Sequence, residues 1–129
     1  MPASSLLLLE SDPASRGVIA GVLGGVGYAV TPVKDIAEVF AVAAEHQLII
    51  IDVVTGTRTA ADICREIRST PSLTAIPVLC ISQADDVEDR IRFLEAGADD
   101  VMAKPFDARQ LAELLHRLAR DPLLPTPAA

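Results

Sequence analysis

Tryptophan is absent from this 129-residue chain, and aromatic side chains amount to three phenylalanines and one tyrosine. Half of the residues are nonetheless apolar, so Leu, Ile, Val and Ala must fill the interior. Positive charge is also scarce: 11 Lys and Arg stand against 18 Asp and Glu, a net charge of −7. That balance excludes nucleic acid and anionic membrane as the partner of this domain, and no basic stretch offsets it. Cysteine appears twice, at Cys64 and Cys80, without C-x-x-C spacing or a His cluster. Neither a disulfide framework nor a zinc site is encoded, and the two thiols read as buried bystanders in a reducing compartment. No apolar run approaches the ~20 residues of a membrane span, and the N-terminus lacks the basic region of a signal peptide. A soluble, cytoplasmic chain is therefore expected.

What is present is a repeating pattern. Short apolar runs recur at Leu6–Leu9, Tyr28–Thr31, Leu48–Ile51, Val78–Ile81 and Val101–Ala103. Leu48-Ile49-Ile50-Ile51 carries no polar residue, as expected of a central parallel strand covered on both faces. Helical spacing fills the intervals. The first helix follows Asp12-Pro13, an N-cap before a first-turn proline, and runs through Val18, Ile19, Val22 and Leu23 to glycines 24, 25 and 27. The second covers roughly Lys34 to His46 and the third about Ala60 to Ser69, burying Ile63, Cys64 and Ile67. The fourth begins near Asp85 or Asp86, places Val87, Ile91 and Leu94 inward, and closes at Gly97. The fifth opens on a capping box, Asp107 to Gln110, and carries Leu111, Leu114, Leu115 and Leu118. Five βα units predict an α/β, doubly wound, flavodoxin-like (βα)5 sandwich, its parallel sheet ordered 2-1-3-4-5. The folded unit is expected over residues 1–120, with a proline-rich tail or linker start over residues 121–129.

In such a sheet, chemistry gathers beyond the carboxyl ends of the strands. Those ends carry Glu10-Ser11-Asp12, Asp52, Ser82 and Lys104-Pro105. Individually each has a bland role: Asp12 as helix cap, Ser82 as turn former, Lys104 as surface charge. Together they assemble carboxylates, a hydroxyl and an ammonium on one rim. That set suits phosphoryl transfer onto a carboxylate, with Mg²⁺ neutralising phosphoryl oxygens and a lysine adding fixed charge.

The chain here resembles the receiver domain of two-component response regulators, from Ser5 to about Arg120. The resemblance rests on Leu9-Glu10-Ser11-Asp12-Pro13, Leu48 to Asp52, Ile76 to Ser82, and above all Ala96-Gly97-Ala98-Asp99-Asp100-Val101-Met102-Ala103-Lys104-Pro105-Phe106. It implies that Asp52 accepts phosphate from a histidine kinase or phosphotransfer protein. It also implies that Ser82 is the switch hydroxyl, that Lys104 contacts the phosphoryl group, and that Pro105 follows a cis peptide bond. Mg²⁺ would sit on Glu10, Asp52 and the Val54 carbonyl, and output would pass through the face of the fourth helix, fifth strand and fifth helix, where a homodimer could also form.

Several positions depart from that family. Its second acid after the first strand is replaced by Ser11, a weak substitute for a hard cation, so Mg²⁺ affinity should fall. Gln83 follows the switch hydroxyl where a very small residue is usual, and Val101 replaces the aromatic that reports phosphorylation. The loop Thr55 to Ala60 lacks the family's Met-Pro-Gly-Met-Asp-Gly. The alternative is a pseudo-receiver, an interaction or dimerisation module independent of phosphate. A dehalogenase-like hydrolase reading fails because Val54 stands where a general acid is needed. A dinucleotide site fails because glycines 21, 24, 25 and 27 end a helix rather than precede one. His46 and His116 lack a phosphotransfer pattern, and Arg58 and Arg65 read as surface charges.

Overall fold

The computed structural model describes residues 5–10, 12–25, 27–52, 60–82, 87–104 and 107–119. Five strands alternate with five α-helices: β1 (Ser5–Glu10), α1 (Pro13–Gly25), β2 (Ala29–Val33), α2 (Ile36–Val42), β3 (Leu48–Asp52), α3 (Ala60–Ser69), β4 (Val78–Ser82), α4 (Val87–Glu95), β5 (Asp100–Ala103) and α5 (Ala108–Ala119). The sheet is wholly parallel, in the order β2-β1-β3-β4-β5. β1 and β3 lie side by side at the point where the winding reverses, as the alternating pattern requires.

The pleat divides the apolar side chains between two cores. Leu7, Leu9, Ile49, Ile51, Val78 and Cys80 pack with Val39, Ile63, Ile67 and Phe93, beneath α2, α3 and α4. Leu6, Leu8, Leu48, Ile50, Leu79 and Ile81 pack with Ile19, Leu23, Leu111 and Leu115, beneath α1 and α5. Every residue of β3 and β4 is buried, which accounts for their uninterrupted apolar sequences. A one-residue slip of either strand would exchange the two cores, so the register that delivers Asp52 to the sheet edge is firmly held.

Helix ends follow the local chemistry. Asp12 Oδ2 accepts the Ser15 amide at 2.9 Å, capping α1. Asp107 and Gln110 exchange bonds at the start of α5, Gln110 N to Asp107 Oδ1 at 2.7 Å and Asp107 N to Gln110 Oε1 at 3.2 Å. Gly27 (φ 102°) and Gly97 (φ 112°) adopt the left-handed conformation just after α1 and α4.

Three expectations need correcting. The second helix starts at Ile36, capped by Asp35, and its α-helical part ends at Val42; a 3₁₀ turn over Ala43–Glu45 takes up the rest. β2 runs over Ala29–Val33 rather than Tyr28–Thr31 and tolerates Pro32 because it is the edge strand. The third correction concerns α4. Val87, Ile91 and Leu94 do not face inward: they are 69%, 49% and 40% exposed, and Phe93 is the buried side chain of that helix. The i, i+4, i+7 spacing marks one face of the helix, but apolar spacing alone does not say whether a face meets a core or a partner. Cys64 and Cys80 are both buried and free, as expected. Among the described residues no helix is long and apolar enough to cross a membrane. The expected tail, residues 121–129, lies outside the described residues, as do Ser11, Val54, Arg58, Gln83, Ala84 and Pro105.

Candidate phosphoacceptor site

The register pairs Glu10 of β1 directly with Asp52 of β3. Both follow two positions after residues of the α1–α5 core, so the pleat turns them to the same face of the sheet. Asp52 is fully buried, Glu10 is nearly so, and Ser82, at the end of β4, is buried as well. Lys104 leaves the end of β5, where its amide donates to Ser82 O at 2.9 Å. Its ammonium reaches Asp52 Oδ2 at 2.7 Å. Glu10, Asp52, Ser82 and Lys104 therefore converge on one edge, as the sequence pattern indicated.

The electrostatics are incomplete. Glu10 Oε1 accepts the Asp12 amide at 2.9 Å, whereas Oε2 is buried and, among the described residues, meets no donor other than the neighbouring Asp52 carboxyl group. Burial, followed by the contact with the Asp52 carboxyl group, raises the Glu10 pKa to about 7. Asp12 behaves differently: the Ser15 amide holds its pKa below the usual carboxylate value, and it serves the helix rather than the cleft. One ammonium thus stands near two carboxyl groups that are buried from water.

That deficit suits a small hard cation, for which oxygen donors of opposite charge are the required ligands. Among the described residues, however, no group of three or more His, Cys, Asp or Glu side chains is arranged to hold a metal. The side chains fit Mg²⁺ through two carboxylates and no more. Ser11, Val54 and Pro105, expected to complete or shape the site, lie outside the described residues.

Sequence reasoning missed Arg16. From the first turns of α1 its Nη1 donates to the Glu10 carbonyl at 3.0 Å. The available signal was an arginine near the positive end of a helix dipole, in a first turn without an acidic residue. His46 proves structural: its ring nitrogens meet Val42 O at 2.8 Å and Thr31 Oγ1 at 2.9 Å.

Comparison with known proteins places this geometry in a family. The model of the response regulator receiver domain matches residues 6–116. The transcriptional regulatory protein GltR of Pseudomonas aeruginosa is 32% identical over 118 residues, covering 90% of this chain and 49% of that protein. The response regulator MprA of a Mycobacterium species (strain KMS) is 30% identical over 117 residues, covering 89% and 50%. This chain spans about half the length of the curated relatives it matches. Among solved structures, the receiver domain of the sensor histidine kinase PA1611 from P. aeruginosa superposes with a TM-score of 0.81. It shares 28% identity over 92% of this chain and 99% of that one, and holds a magnesium ion in its active-site cleft. The receiver domain of a signal transduction histidine kinase from Syntrophus aciditrophicus gives 0.80 and 28% identity, covering 98% and 100%. With the family model matching residues 6–116 and the fold shared throughout, the chain belongs to the response regulator receiver domains of two-component signalling.

Proposed function

We propose that this receiver accepts a phosphoryl group on Asp52 from a phosphohistidine of a histidine kinase or phosphotransfer protein in the cytoplasm. The observation that carries the reading is the Lys104 ammonium, 2.7 Å from a fully buried Asp52 carboxylate at the switch point of the sheet. A carboxylate oxygen of Asp52 attacks phosphorus while the P–N bond breaks and its electron pair returns to the imidazole, which takes a proton from solvent. Once the Asp52 oxygen is esterified, the ammonium turns from the carboxylate to the phosphoryl oxygens, and the Ser82 hydroxyl donates a hydrogen bond to one of them. Glu10 and Asp52, with the Val54 carbonyl expected beside them, would hold Mg²⁺, which would supply neutralising charge to those oxygens. Binding would be weak, because Ser11 stands where an anionic ligand is expected. Output passes through the α4-β5-α5 face, where a groove of about 580 Å³ is lined by residues including Arg90, Asp100, Glu113 and Arg117. The exposed stripe of Val87, Ile91 and Leu94 belongs to the same helix as Arg90 and gives this face an apolar docking strip, for a second copy or another protein.

Intact-mass measurement after acetyl phosphate treatment tests the reading. An 80 Da adduct is expected, larger in yield with Mg²⁺ and absent from Asp52→Asn. Val54 and Ala84, two positions past Asp52 and Ser82, cannot orient an attacking water, so the adduct should persist well beyond seconds. Rapid loss would count against that assignment.

One observation favours a phosphate-independent interaction module as the second reading. Val101 is buried and has no ring to report phosphorylation, while the apolar stripe on α4 is exposed without it. Absence of any adduct with acetyl phosphate and Mg²⁺ would select this second reading.

A further inference from the structure

The ladder between β1 and β2 ends at Leu9–Val33, whereas β1 continues one residue further to pair Glu10 with Asp52. Glu10 therefore has a strand neighbour on one side only. It is also the residue with most reason to move. Its carboxyl group is buried against that of Asp52, and among the described residues no donor group of another element is directed at its Oε2. Burial disfavours its charged form, and water would draw such a side chain outward unless backbone and side chain were both held.

Arg16 meets that need. Its Nη1 donates to the Glu10 carbonyl at 3.0 Å, and its own amide donates to Asp12 O at 2.9 Å. The Asp12 amide in turn holds Glu10 Oε1, and Asp12 Oδ2 accepts from Ser15 N. The first three of these bonds close a ring that joins Glu10, Asp12 and Arg16, and the fourth fixes Asp12 to the helix. The placement of a guanidinium there runs against helix electrostatics, since a cation in the first turns of α1 faces the positive end of the dipole. Among the described residues Arg16 forms no ion pair that would offset this. The N-cap carboxylate of Asp12 feels the Arg16 charge and offsets part of that cost, while the guanidinium itself donates to the Glu10 carbonyl.

We propose that Arg16 is the positioning residue of the cation site: it clamps the end of β1 so that the Glu10 carboxylate stays facing Asp52. This rests on the reading of Glu10 and Asp52 as Mg²⁺ ligands. It adds that their geometry depends on a side chain from the helix behind them. Outer partners of this kind typically change metal affinity by about tenfold or more.

The experiment compares the unmodified chain with Arg16→Met, Arg16→Lys and Glu10→Gln, each checked for a folded amide spectrum by NMR. Two quantities are read: hydrogen exchange of the Asp12 amide without metal, and the midpoint of a Mg²⁺ titration. Arg16→Met, which keeps the stem and loses the donors, is expected to speed Asp12 exchange about tenfold and to weaken Mg²⁺ by about tenfold. Arg16→Lys, with one donor that can reach a single carbonyl, should recover part of both. Unchanged Asp12 exchange and Mg²⁺ midpoint in a folded Arg16→Met protein would overturn the assignment of Arg16. If the unmodified chain and Glu10→Gln respond identically to Mg²⁺, the metal reading itself fails; Asp12 exchange then still decides whether Arg16 clamps Glu10.

Discussion

The two ends of the sheet solve the burial of charge in opposite ways. At the amino end of β4, the Arg68 guanidinium donates to Gly97 O at 2.8 Å, Thr74 O at 3.0 Å, Ile76 O at 2.7 Å and Asp99 Oδ2 at 2.6 Å. Asp99 Oδ2 also accepts the Val78 amide at 2.8 Å. Cation, anion and three strand-end or loop carbonyls are matched, and the network ties α3, β4 and the turn after α4 into one unit. At the carboxyl end two carboxyl groups are buried side by side, the one ammonium pairs with Asp52, and among the described residues Glu10 Oε2 meets no cation or amide. The first end is closed chemistry that holds the fold. The second is left open, and openness at a cost in stability is the mark of a site that awaits a ligand.

The comparison breaks first at Arg68. Arg68→Met removes four donated bonds and leaves Asp99 and the Ile76 and Gly97 carbonyls short of partners. The expected loss is about 3 kcal/mol, since removing one member of a partly buried charged network strands the others. It should appear as a lower urea midpoint with an unchanged slope. Gly97→Ala attacks the same unit sterically. Its φ of 112° disfavours any side chain, and a Cβ there would stand 2.6 Å from Arg68 Cγ. A loss below about 1 kcal/mol for Arg68→Met would show that the amino end is no better sealed than its counterpart.

The carboxyl end should respond with the opposite sign. Glu10 has a folded pKa near 7, above its ordinary 4.5. Folding therefore favours the protonated carboxyl: its contribution is most favourable below pH 4.5 and is lost as pH rises through 7. Removing that charge should stabilise the protein. Glu10→Gln is expected to unfold later than the unmodified chain at pH 8, by up to about 3 kcal/mol, with the gap shrinking toward zero near pH 4.5. Urea melts across that range measure it. A Glu10→Gln protein that is less stable at pH 8 would mean that the carboxyl end is also a completed network.

These contrasts set what could be read from sequence alone. The run Leu48 to Ile51 ending in Asp52 announced a doubly covered strand, because burial on both faces leaves no place for a polar residue. Capping residues Asp12, Asp107 and Gln110 were legible because their chemistry is local. Phe93 against Val87, Ile91 and Leu94 was not, because two apolar faces of α4 compete and only packing selects between them. Lys34 to His46 reads as one helix, since nothing in Val42-Ala43-Ala44 signals the change to a 3₁₀ turn. The pairing of Arg68 with Asp99 is illegible for a different reason. Their bonds go to backbone atoms and to each other across 31 positions, and neither residue type nor spacing encodes that. Glu10, Ser82 and Lys104 were found because strand ends meet at a place fixed by topology, whereas Arg16 acts on a carbonyl that no pattern displays.

The helices serving the two ends differ as well, and that difference gives the smallest test. α3, which carries Arg68, buries Ala60, Ala61, Ile63, Cys64 and Ile67. α1, which carries Arg16, buries only Ile19 and Leu23 and contains Gly17, Gly21, Gly24 and Gly25 within its length. A Cβ at Gly17 or Gly21 would meet nothing within 4 Å. Both sites are helical and open, so alanine can enter without strain, and the change acts through backbone entropy. Each of Gly17→Ala and Gly21→Ala should stabilise the protein by roughly 0.5–1 kcal/mol. The pair should be close to additive in thermal melts: the sites are one turn apart, but neither new Cβ meets another group within 4 Å and each acts on backbone entropy. If the cation site relies on a rigid β1–α1 turn, the double variant should also slow Asp12 amide exchange. Stabilisation without that slowing would show that α1 can be stiffened independently of the turn, leaving the hold on Glu10 to the Arg16 bond itself.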